Sequence, residues 1–171
     1  RQRLPRKAGM AASLGTAVHA SIEDLLLNDY SNIGNQQDDW LPEEALRVLK
    51  LRWEEEKEVF MNTPRRPKWK EEKWKEAIKQ QRGGVIMLLD HVGIQGLEHK
   101  RITGALWRKI QKQAIAVEGE LKTKDGRLMG RLDLLLADVN DAGEMTGWLV
   151  ADLKTGRTPD KKLKTEVNRQ L

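Results

Sequence analysis

The sequence lacks cysteine altogether and has no long apolar run. Without cysteine the chain can form neither disulfides nor the thiolate sites that bind zinc or iron–sulfur clusters. No apolar stretch approaches the ~20 residues of a membrane-spanning helix, and no signal-peptide segment follows the basic start of the chain. We therefore expect no membrane contact and a location in the cytoplasm, or at a nucleoid or a viral replication site.

The sequence also lacks the patterns of several enzyme classes. No glycine-rich run has the spacing of a phosphate-binding loop, no Ser-His-Asp arrangement can be argued, and no segment repeats. The chain has 171 residues, of which 39% are hydrophobic, and this is enough for one modest core. Its 31 basic residues exceed its 26 acidic residues, and the net charge of +5 suits a polyanionic partner such as nucleic acid.

Apolar residues at helical spacing predict a helical N-terminal half. Helices are expected over residues 14–27, from residue 42 to a break at 63–67, from about 68 to 92, and from about 97 to 113, with a polar loop at 28–40. Ser13 is the expected N-cap of the first helix, and Pro42 is expected to open the second. Gly83 and Gly84 weaken the third, because each glycine costs about 1 kcal/mol relative to alanine.

After residue 113 the apolar spacing becomes that of strands. Asp125-Gly126 predicts a tight type I′ turn, since both residue types tolerate positive φ angles. Counting back in step from that turn puts Glu118 opposite Asp133 on neighbouring strands. Directly opposed side chains lie ~5 Å apart at Cβ, so two acids there repel each other unless a cation lies between them.

A second turn is expected at residues 140–144. Counting outward from its midpoint puts Asp133 opposite Asp152, and the two-residue period of a strand keeps Lys154 on the same face. A one-residue slip in either hairpin would separate these side chains. Two independent turns thus predict one face that carries Glu118, Asp133, Asp152 and Lys154.

Such a face suits the hydrolysis of phosphodiesters. Carboxylates bind Mg²⁺ or Mn²⁺, which prefer oxygen ligands and retain waters that a substrate phosphate can replace. The metal lowers the pKa of a bound water, and Lys154 supplies positive charge that stabilises the transition state. The alternative is a solvated sheet face on which Lys154 neutralises scattered acids. We favour the metal site because the two turn predictions agree.

The residues that carry this chemistry belong to five short segments along the chain. They are Leu14-Gly15-Thr16-Ala17-Val18-His19, Val117-Glu118, Gly130-Arg131-Leu132-Asp133, Asp152-Leu153-Lys154-Thr155-Gly156 and Gln170. With this order, and with three helical segments between the histidine and the first acid, the chain resembles the RecB-type branch of the PD-(D/E)XK nuclease superfamily. The resemblance spans nearly the whole sequence. Leu4-Pro5-Arg6 has leucine where that branch has Cys-Pro-Arg, so the iron–sulfur subtype is excluded.

The resemblance implies a metal centre of defined composition. His19, Asp133 and Asp152 are the implied ligands of Mg²⁺ or Mn²⁺, with the Leu153 carbonyl as a further ligand. Glu118 is implied to support them or to bind a second ion. The alternative for a lone histidine on an amphipathic helix is a packed or exposed residue, and the acid cluster favours the ligand role.

The resemblance also implies how the substrate is held and cut. Lys154 is the implied catalytic lysine beside the three acids, and Thr155 and Gln170 are implied to lie near the DNA. The sequence stops before the tyrosine and the last core strand of that branch. We therefore expect the domain to be incomplete here or to be completed by a partner.

Residues 65–75 interleave tryptophan with cations. Single-stranded nucleic acid is often held this way, with bases stacked on aromatic rings and phosphates near basic side chains. Arg65, Arg66 and Trp69 are therefore candidate DNA-binding residues, with core packing as the equal alternative for Trp69. For Trp74 we favour core packing.

These observations predict a single α/β domain over residues 1–171 with a PD-(D/E)XK, restriction-endonuclease-like core and a small mixed sheet. The helical insertion is expected at about residues 28–112, the catalytic sheet at about 113–156 and a C-terminal helix at about 160–171. The predicted function is Mg²⁺- or Mn²⁺-dependent hydrolysis of DNA, exonuclease-like on single strands or duplex ends, in repair or recombination. A helicase or a replication or repair complex is a further expected partner.

Two other interpretations remain open. The first is a nuclease-fold module that binds DNA or a helicase partner without cutting. The second is a purely structural helical interaction protein, which leaves the agreement between the two strand registers unexplained.

Overall fold

The structure, a computed structural model, describes residues 9–33, 40–63, 68–92, 102–127, 129–140 and 142–152. Within these ranges a helical N-terminal half precedes a small sheet, so the fold is α/β as predicted. The elements are α1 (Met10–Leu27), α2 (Trp40–Met61), a 3₁₀ turn (Glu71–Lys73), α3 (Trp74–His91), α4 (Gly104–Gln113), β1 (Ala114–Lys122), β2 (Met129–Val139) and β3 (Met145–Ala151).

The core forms where the apolar stripes of the helices meet one another and one side of the sheet. In α1 the buried residues recur every three or four positions, as in Leu14, Val18, Ile22 and Leu25. Burying each such side chain contributes about 1.5–3 kcal/mol. The largest fully buried side chains include Trp53, Trp107, Phe60, Leu49, Leu88, Leu89 and Leu134.

Two predicted helix starts are wrong. α1 begins after Gly9, and Ser13 is buried inside the helix instead of capping it. α2 begins at Trp40, two residues before Pro42. Burial of the Trp40 side chain favours the earlier start, and a proline in the first turn removes only an N–H that would lack a helical partner anyway.

The other two helices differ from the prediction in length. α3 starts at Trp74 after the 3₁₀ turn, and it continues through Gly83 and Gly84 to His91. Burial of apolar side chains on either side of the glycines outweighs their cost of about 1 kcal/mol each. α4 is short, and the Thr103 hydroxyl caps it by accepting a hydrogen bond from the Leu106 N–H (3.2 Å).

Buried polar contacts join α1, α2 and α3. The Gln81 side-chain amide donates to the Ser21 hydroxyl (3.0 Å) and to the Ala45 carbonyl (2.7 Å). Arg52 on α2 donates to both carboxylate oxygens of Asp24 on α1, at 2.7 and 2.6 Å. Because unpaired buried polar groups are costly, these contacts favour a single alignment of the three helices.

The C-terminal end of α1 is held by side chains from α4. The Trp107 indole N–H donates to the Leu25 carbonyl (2.7 Å). The Gln111 amide donates to the carbonyls of Leu25 (3.2 Å), Leu26 (3.1 Å) and Asn28 (2.8 Å). The last carbonyls of a helix have no partner within it, so α4 satisfies groups that α1 itself cannot.

The three described strands form one antiparallel sheet in the order β1-β2-β3. Val117 pairs with Leu134 in the first ladder, and Leu134 pairs with Ala151 in the second. Both registers match those counted from the predicted turns. A mixed sheet needs a parallel pairing in addition, and the described strands contain none.

The type of the first turn was predicted wrongly. The Gly126 N–H donates to the Thr123 carbonyl (2.9 Å), so Lys124 and Asp125 are the central residues of the turn. Gly126 has a φ of 69°, while the described residues with positive φ do not include Asp125. A type I′ turn requires positive φ at both central residues. The register is nevertheless the expected one, and the last ladder pair is Lys122 with Met129.

Candidate metal centre

His19 lies in the middle of α1, on the side that faces the sheet. Ile22 and Leu26 of α1 line a small cleft together with Val117 and Leu134 of the sheet, and His19 lies at this cleft. The apolar contacts position the helix, and the helical period then directs the imidazole toward Glu118 and Asp133 in the middle of β1 and β2.

Glu118 lies at an irregular point of β1. The residues on either side, Val117 and Gly119, pair with Leu134 and Leu132, so Glu118 is opposite Asp133 as predicted from the register. Its φ is 51°, which is uncommon for a residue with a side chain. Such backbone geometry costs of order 1–3 kcal/mol and is often found where side chains are arranged for function.

His19, Glu118 and Asp133 converge although their elements are distant in sequence. The His19 Nδ1 atom lies 3.5 Å from Glu118 Oε1 and 3.8 Å from Asp133 Oδ2. Ligand atoms of all three residues lie within 4.8 Å of one another, and the side chains are 22%, 16% and 19% exposed. One imidazole nitrogen and two carboxylates at this spacing fit a divalent cation.

An open cavity of about 420 Å³ leads to these three side chains. Its wall on α1 is formed mostly by small residues, so the helix leaves room beside the imidazole. The lining residues on α1 other than His19 are Ala11, Ala12, Gly15, Thr16, Ala20 and Glu23.

Two polar residues of α1, Thr16 and Glu23, also line the cavity, although the sequence analysis assigned no role to either of them. Thr16 and Glu23 lie three residues before and four residues after His19. That spacing places them on the same side of the helix and could have identified them.

Asp152 is the last residue described before the C-terminal segment. It is exposed and follows Ala151, which pairs with Leu134, so the register continues toward Asp133. Among the described residues, the three that can share one ion do not include Asp152. Its role as a ligand stays a prediction. The other predicted site residues, Leu153, Lys154, Thr155, Gln170, Arg65 and Arg66, lie outside the described residues.

Trp69 does not have the exposure that base stacking needs. It is 8% exposed, and its ring centroid lies 4.7 Å from that of Trp53 and 5.2 Å from that of Phe60. Neighbouring aromatic rings therefore occupy the surface that a base would contact, which argues against the predicted stacking role. Trp74 also packs on Trp53, with ring centroids 5.4 Å apart. Core packing is the structural role of both tryptophans.

A family model of the PD-(D/E)XK nuclease superfamily matches residues 1–171. The chain belongs to this superfamily, and its α/β fold is the restriction-endonuclease-like core. Membership indicates metal-dependent nuclease activity on nucleic acid, and the His19, Glu118 and Asp133 group is a suitable place for the metal.

The other comparisons add no relative. Neither the curated proteins nor the solved structures gave a significant match. Within the described ranges, no helix combines the length and apolar character that crossing a bilayer requires.

Proposed function

We propose that the chain is a metal-dependent deoxyribonuclease of the RecB-type branch that acts exonuclease-like on single strands or duplex ends. One observation carries this proposal: α1, β1 and β2 each direct one potential metal ligand to the same point. His19 lies about a hundred residues before the two acids in sequence, so its place beside them is not a consequence of local chain geometry.

His19, Asp133 and Asp152 would hold the metal, with Glu118 beside them. A bound divalent cation supplies a water of lowered pKa and neutralises charge on the phosphate. The imidazole favours Mn²⁺ over Mg²⁺ and Ca²⁺ because it suits transition ions, while the carboxylates suit both Mn²⁺ and Mg²⁺. Without a cation, the two close carboxylates repel a phosphodiester, so substrate binding at this point should require the metal.

Lys154 is the proposed catalytic lysine. It follows Asp152 by two residues, the spacing that keeps side chains on one face if the strand geometry continues. Its ammonium group would orient the attacking water and offset the negative charge that develops on the phosphate. Thr155 and Gln170 remain proposed contacts to the DNA.

The shape of the cavity supports a single strand or a duplex end as the substrate. Its volume of about 420 Å³ is at the small end of the range for a small-molecule site, on the scale of one nucleotide and far less than a duplex. A strand end entering along α1 would place its terminal phosphodiester at the metal centre. A helicase or a replication or repair complex as partner is proposed on the resemblance alone. The cytoplasmic location remains an expectation from the composition of the sequence.

Cleavage assays with matched aspartate variants test the proposal. Labelled single-stranded DNA, duplex DNA and RNA are incubated with Mn²⁺ or Mg²⁺ and the wild-type chain, Asp133→Ala or Asp138→Ala. Both aspartates lie on β2, but Asp138 is exposed and outside the three-residue group. We expect Asp133→Ala to lower kcat/KM by about 100-fold or more, and Asp138→Ala to retain activity. Equal cleavage by all three proteins would contradict the proposal.

Metal affinity, measured together with cleavage and DNA binding, distinguishes a nuclease from a module of the same fold that does not cut. Calorimetry with Mn²⁺ should show affinity reduced at least about 10-fold in His19→Ala and unchanged in His91→Ala. His91 is a matched control because it is half-buried and contacts the Ala137 carbonyl instead of the acids. Metal binding without cleavage, together with salt-sensitive DNA binding, would favour the non-cleaving module.

A further inference from the structure

The hairpin formed by β1 and β2 extends beyond the candidate metal centre. Glu118 and Asp133 lie in the middle of their strands, and the ladder continues past them to the pair of Lys122 and Met129. At about 3.3 Å per residue, the end of the ladder lies about 13 Å from the two acids. Residues 123–127, which lead into the turn, are all exposed. The end of the hairpin therefore projects from the site into solvent.

The hairpin and the cavity beside the metal centre extend in the same direction. α4 contacts α1 near its C-terminal end at Leu25 and leads directly into β1, which reaches His19 at Glu118. β1 therefore runs toward the N-terminal end of α1. The cavity wall on α1 runs the same way, from His19 to Ala11, over about 12 Å. A polymer that leaves the metal centre through the cavity would therefore pass beside the hairpin.

The end of the hairpin carries three exposed cations that we call the basic tip, Lys122, Lys124 and Arg127. Within the part of the chain that the structure describes, neither lysine forms an ion pair. The Arg127 Nε atom lies 3.6 Å from Asp125 Oδ2, and the two side chains are 86% and 56% exposed. Such an exposed contact contributes little, so Arg127 can exchange it for another anion.

The acid within the basic tip is held by the turn. Asp125 Oδ1 accepts hydrogen bonds from the Thr123 hydroxyl (2.6 Å) and from the Arg127 backbone N–H (3.2 Å). These two bonds lower the pKa of the Asp125 carboxyl, so it is ionised at neutral pH and stabilises the turn. Three cations and one acid give residues 122–127 a net charge of +2. This end of the hairpin therefore attracts anions.

We propose that the basic tip binds the phosphate backbone of the nucleic-acid strand whose end lies at the metal centre. This proposal rests on the proposed nuclease function and adds a second point of contact to it. Phosphates recur regularly along a strand, so separate cations can each contact one without reading the base sequence. The contacts hold the uncut part of the strand about 13 Å from the metal, the distance given by four strand residues.

α3 offers a matched control with three exposed cations on one side of the helix, Lys75, Lys79 and Arg82. α3 contacts α1 at Ser21 through the Gln81 amide. Ser21 and His19 point about 200° apart around α1, so α3 and the metal centre lie on different sides of that helix. The basic tip and the control set carry the same number of cations, and only the basic tip lies beside the cavity.

Salt-dependent DNA binding tests the proposal. One variant combines Lys122→Gln, Lys124→Gln and Arg127→Gln, and the control combines Lys75→Gln, Lys79→Gln and Arg82→Gln. Each lowers the net charge by three, so a general charge effect is the same in both. Binding of a fluorescein-labelled oligothymidylate is followed by fluorescence anisotropy in EDTA over a range of salt concentrations. Loss of three contacts should make the slope of log K against log salt shallower by about 2, at about 0.7 per phosphate.

We expect the basic-tip variant to bind at least about 10-fold more weakly at low salt, and the control to change much less. A variant with Lys122→Arg, Lys124→Arg and Arg127→Lys keeps the charge and should bind like the wild-type chain. Equal losses in the tip and control variants, or a charge-keeping variant as weak as the neutral one, would overturn the proposal. Labelled polyglutamate bound as tightly as the oligonucleotide would also overturn it.

The same measurement separates this proposal from the proposed nuclease function. Binding in EDTA requires neither metal nor cleavage. A chain that binds through the basic tip but cuts no substrate with Mn²⁺ would contradict the nuclease function alone. A chain that cuts, and whose DNA affinity does not depend on the basic tip, would contradict this proposal alone.

Discussion

The carboxylate of Glu118 belongs to the candidate metal centre, and the backbone of the same residue has a φ of 51°, a region that favours glycine. A residue selected for stability alone would be glycine at this point. The presence of glutamate therefore suggests that stability is given up for the carboxylate.

The stability cost of a positive φ at residue 118 can be measured by comparing Glu118→Gly with Glu118→Ala. Both variants lose the carboxylate, so both should bind Mn²⁺ more weakly than the wild-type chain. The glycine variant accommodates the positive φ, and we expect it to be more stable than the alanine variant by about 0.5–1 kcal/mol. Urea unfolding gives the stability and calorimetry gives the affinity. An alanine variant as stable as the glycine variant would mean that the backbone at this position is not strained.

At the residue scale the sequence predicted the opposed positions of two acids correctly, and the reason is physical. Opposed positions in a ladder follow from counting, so Glu118 and Asp133 could be paired before any coordinates were known. Trp69 could not be assigned in the same way. A tryptophan among lysines has the same sequence pattern whether it packs in a core or contacts nucleic acid. Only the structure shows that Trp53 and Phe60 pack against Trp69.

At the scale of elements, Gln81 shows how three helices are aligned. Gln81→Ala would leave the Ser21 hydroxyl and the Ala45 carbonyl without this donor in a buried environment. We expect a loss of about 1–3 kcal/mol in the free energy of unfolding. Urea denaturation should show this loss and a smaller one for Gln80→Ala, a half-buried neighbour whose amide has a long contact with Glu76 (3.4 Å). A loss of similar size in both variants would show that the buried contact is unimportant.

The positions of helices and strands were predicted better where local sequence patterns determine them than where tertiary contacts do. The first strand register was correct because its turn is local and fixes the count, even though the Asp125-Gly126 turn type was wrong. The second register was correct only because a bulge between Asp138 and Val139 shifts the pairing by one residue beside the turn, and no sequence pattern indicated that bulge. Helix starts were less predictable, since Trp40 extends α2 through burial that depends on distant residues.

At the scale of the whole molecule, an aromatic cluster stabilises the helical half. Trp69→Ala would remove a buried ring from Trp53 and Phe60, and we expect a destabilisation of about 3–5 kcal/mol. Lys70→Ala changes an exposed neighbour and should cost at most about 0.5 kcal/mol. Unfolding monitored by circular dichroism gives both values.

The affinity of Trp69→Ala for nucleic acid tests whether Trp69 has a role in binding as well as in the core. Under conditions in which Trp69→Ala remains folded, its affinity for single-stranded DNA should equal that of the wild-type chain. A variant of unchanged stability but weaker binding would restore the base-stacking interpretation of Trp69.

The hydrogen bonds that other elements make to α1 determine where the His19 imidazole lies. Sliding the helix by one turn would move His19 by about 5.4 Å, beyond contact with either carboxylate, while a largely apolar helix surface alone would tolerate such a slip. Gln81 contacts α1 at Ser21, and Trp107 and Gln111 contact it at Leu25, so a slipped helix would break all of these bonds. Residues outside the candidate site thus set the distance between its histidine and the two carboxylates.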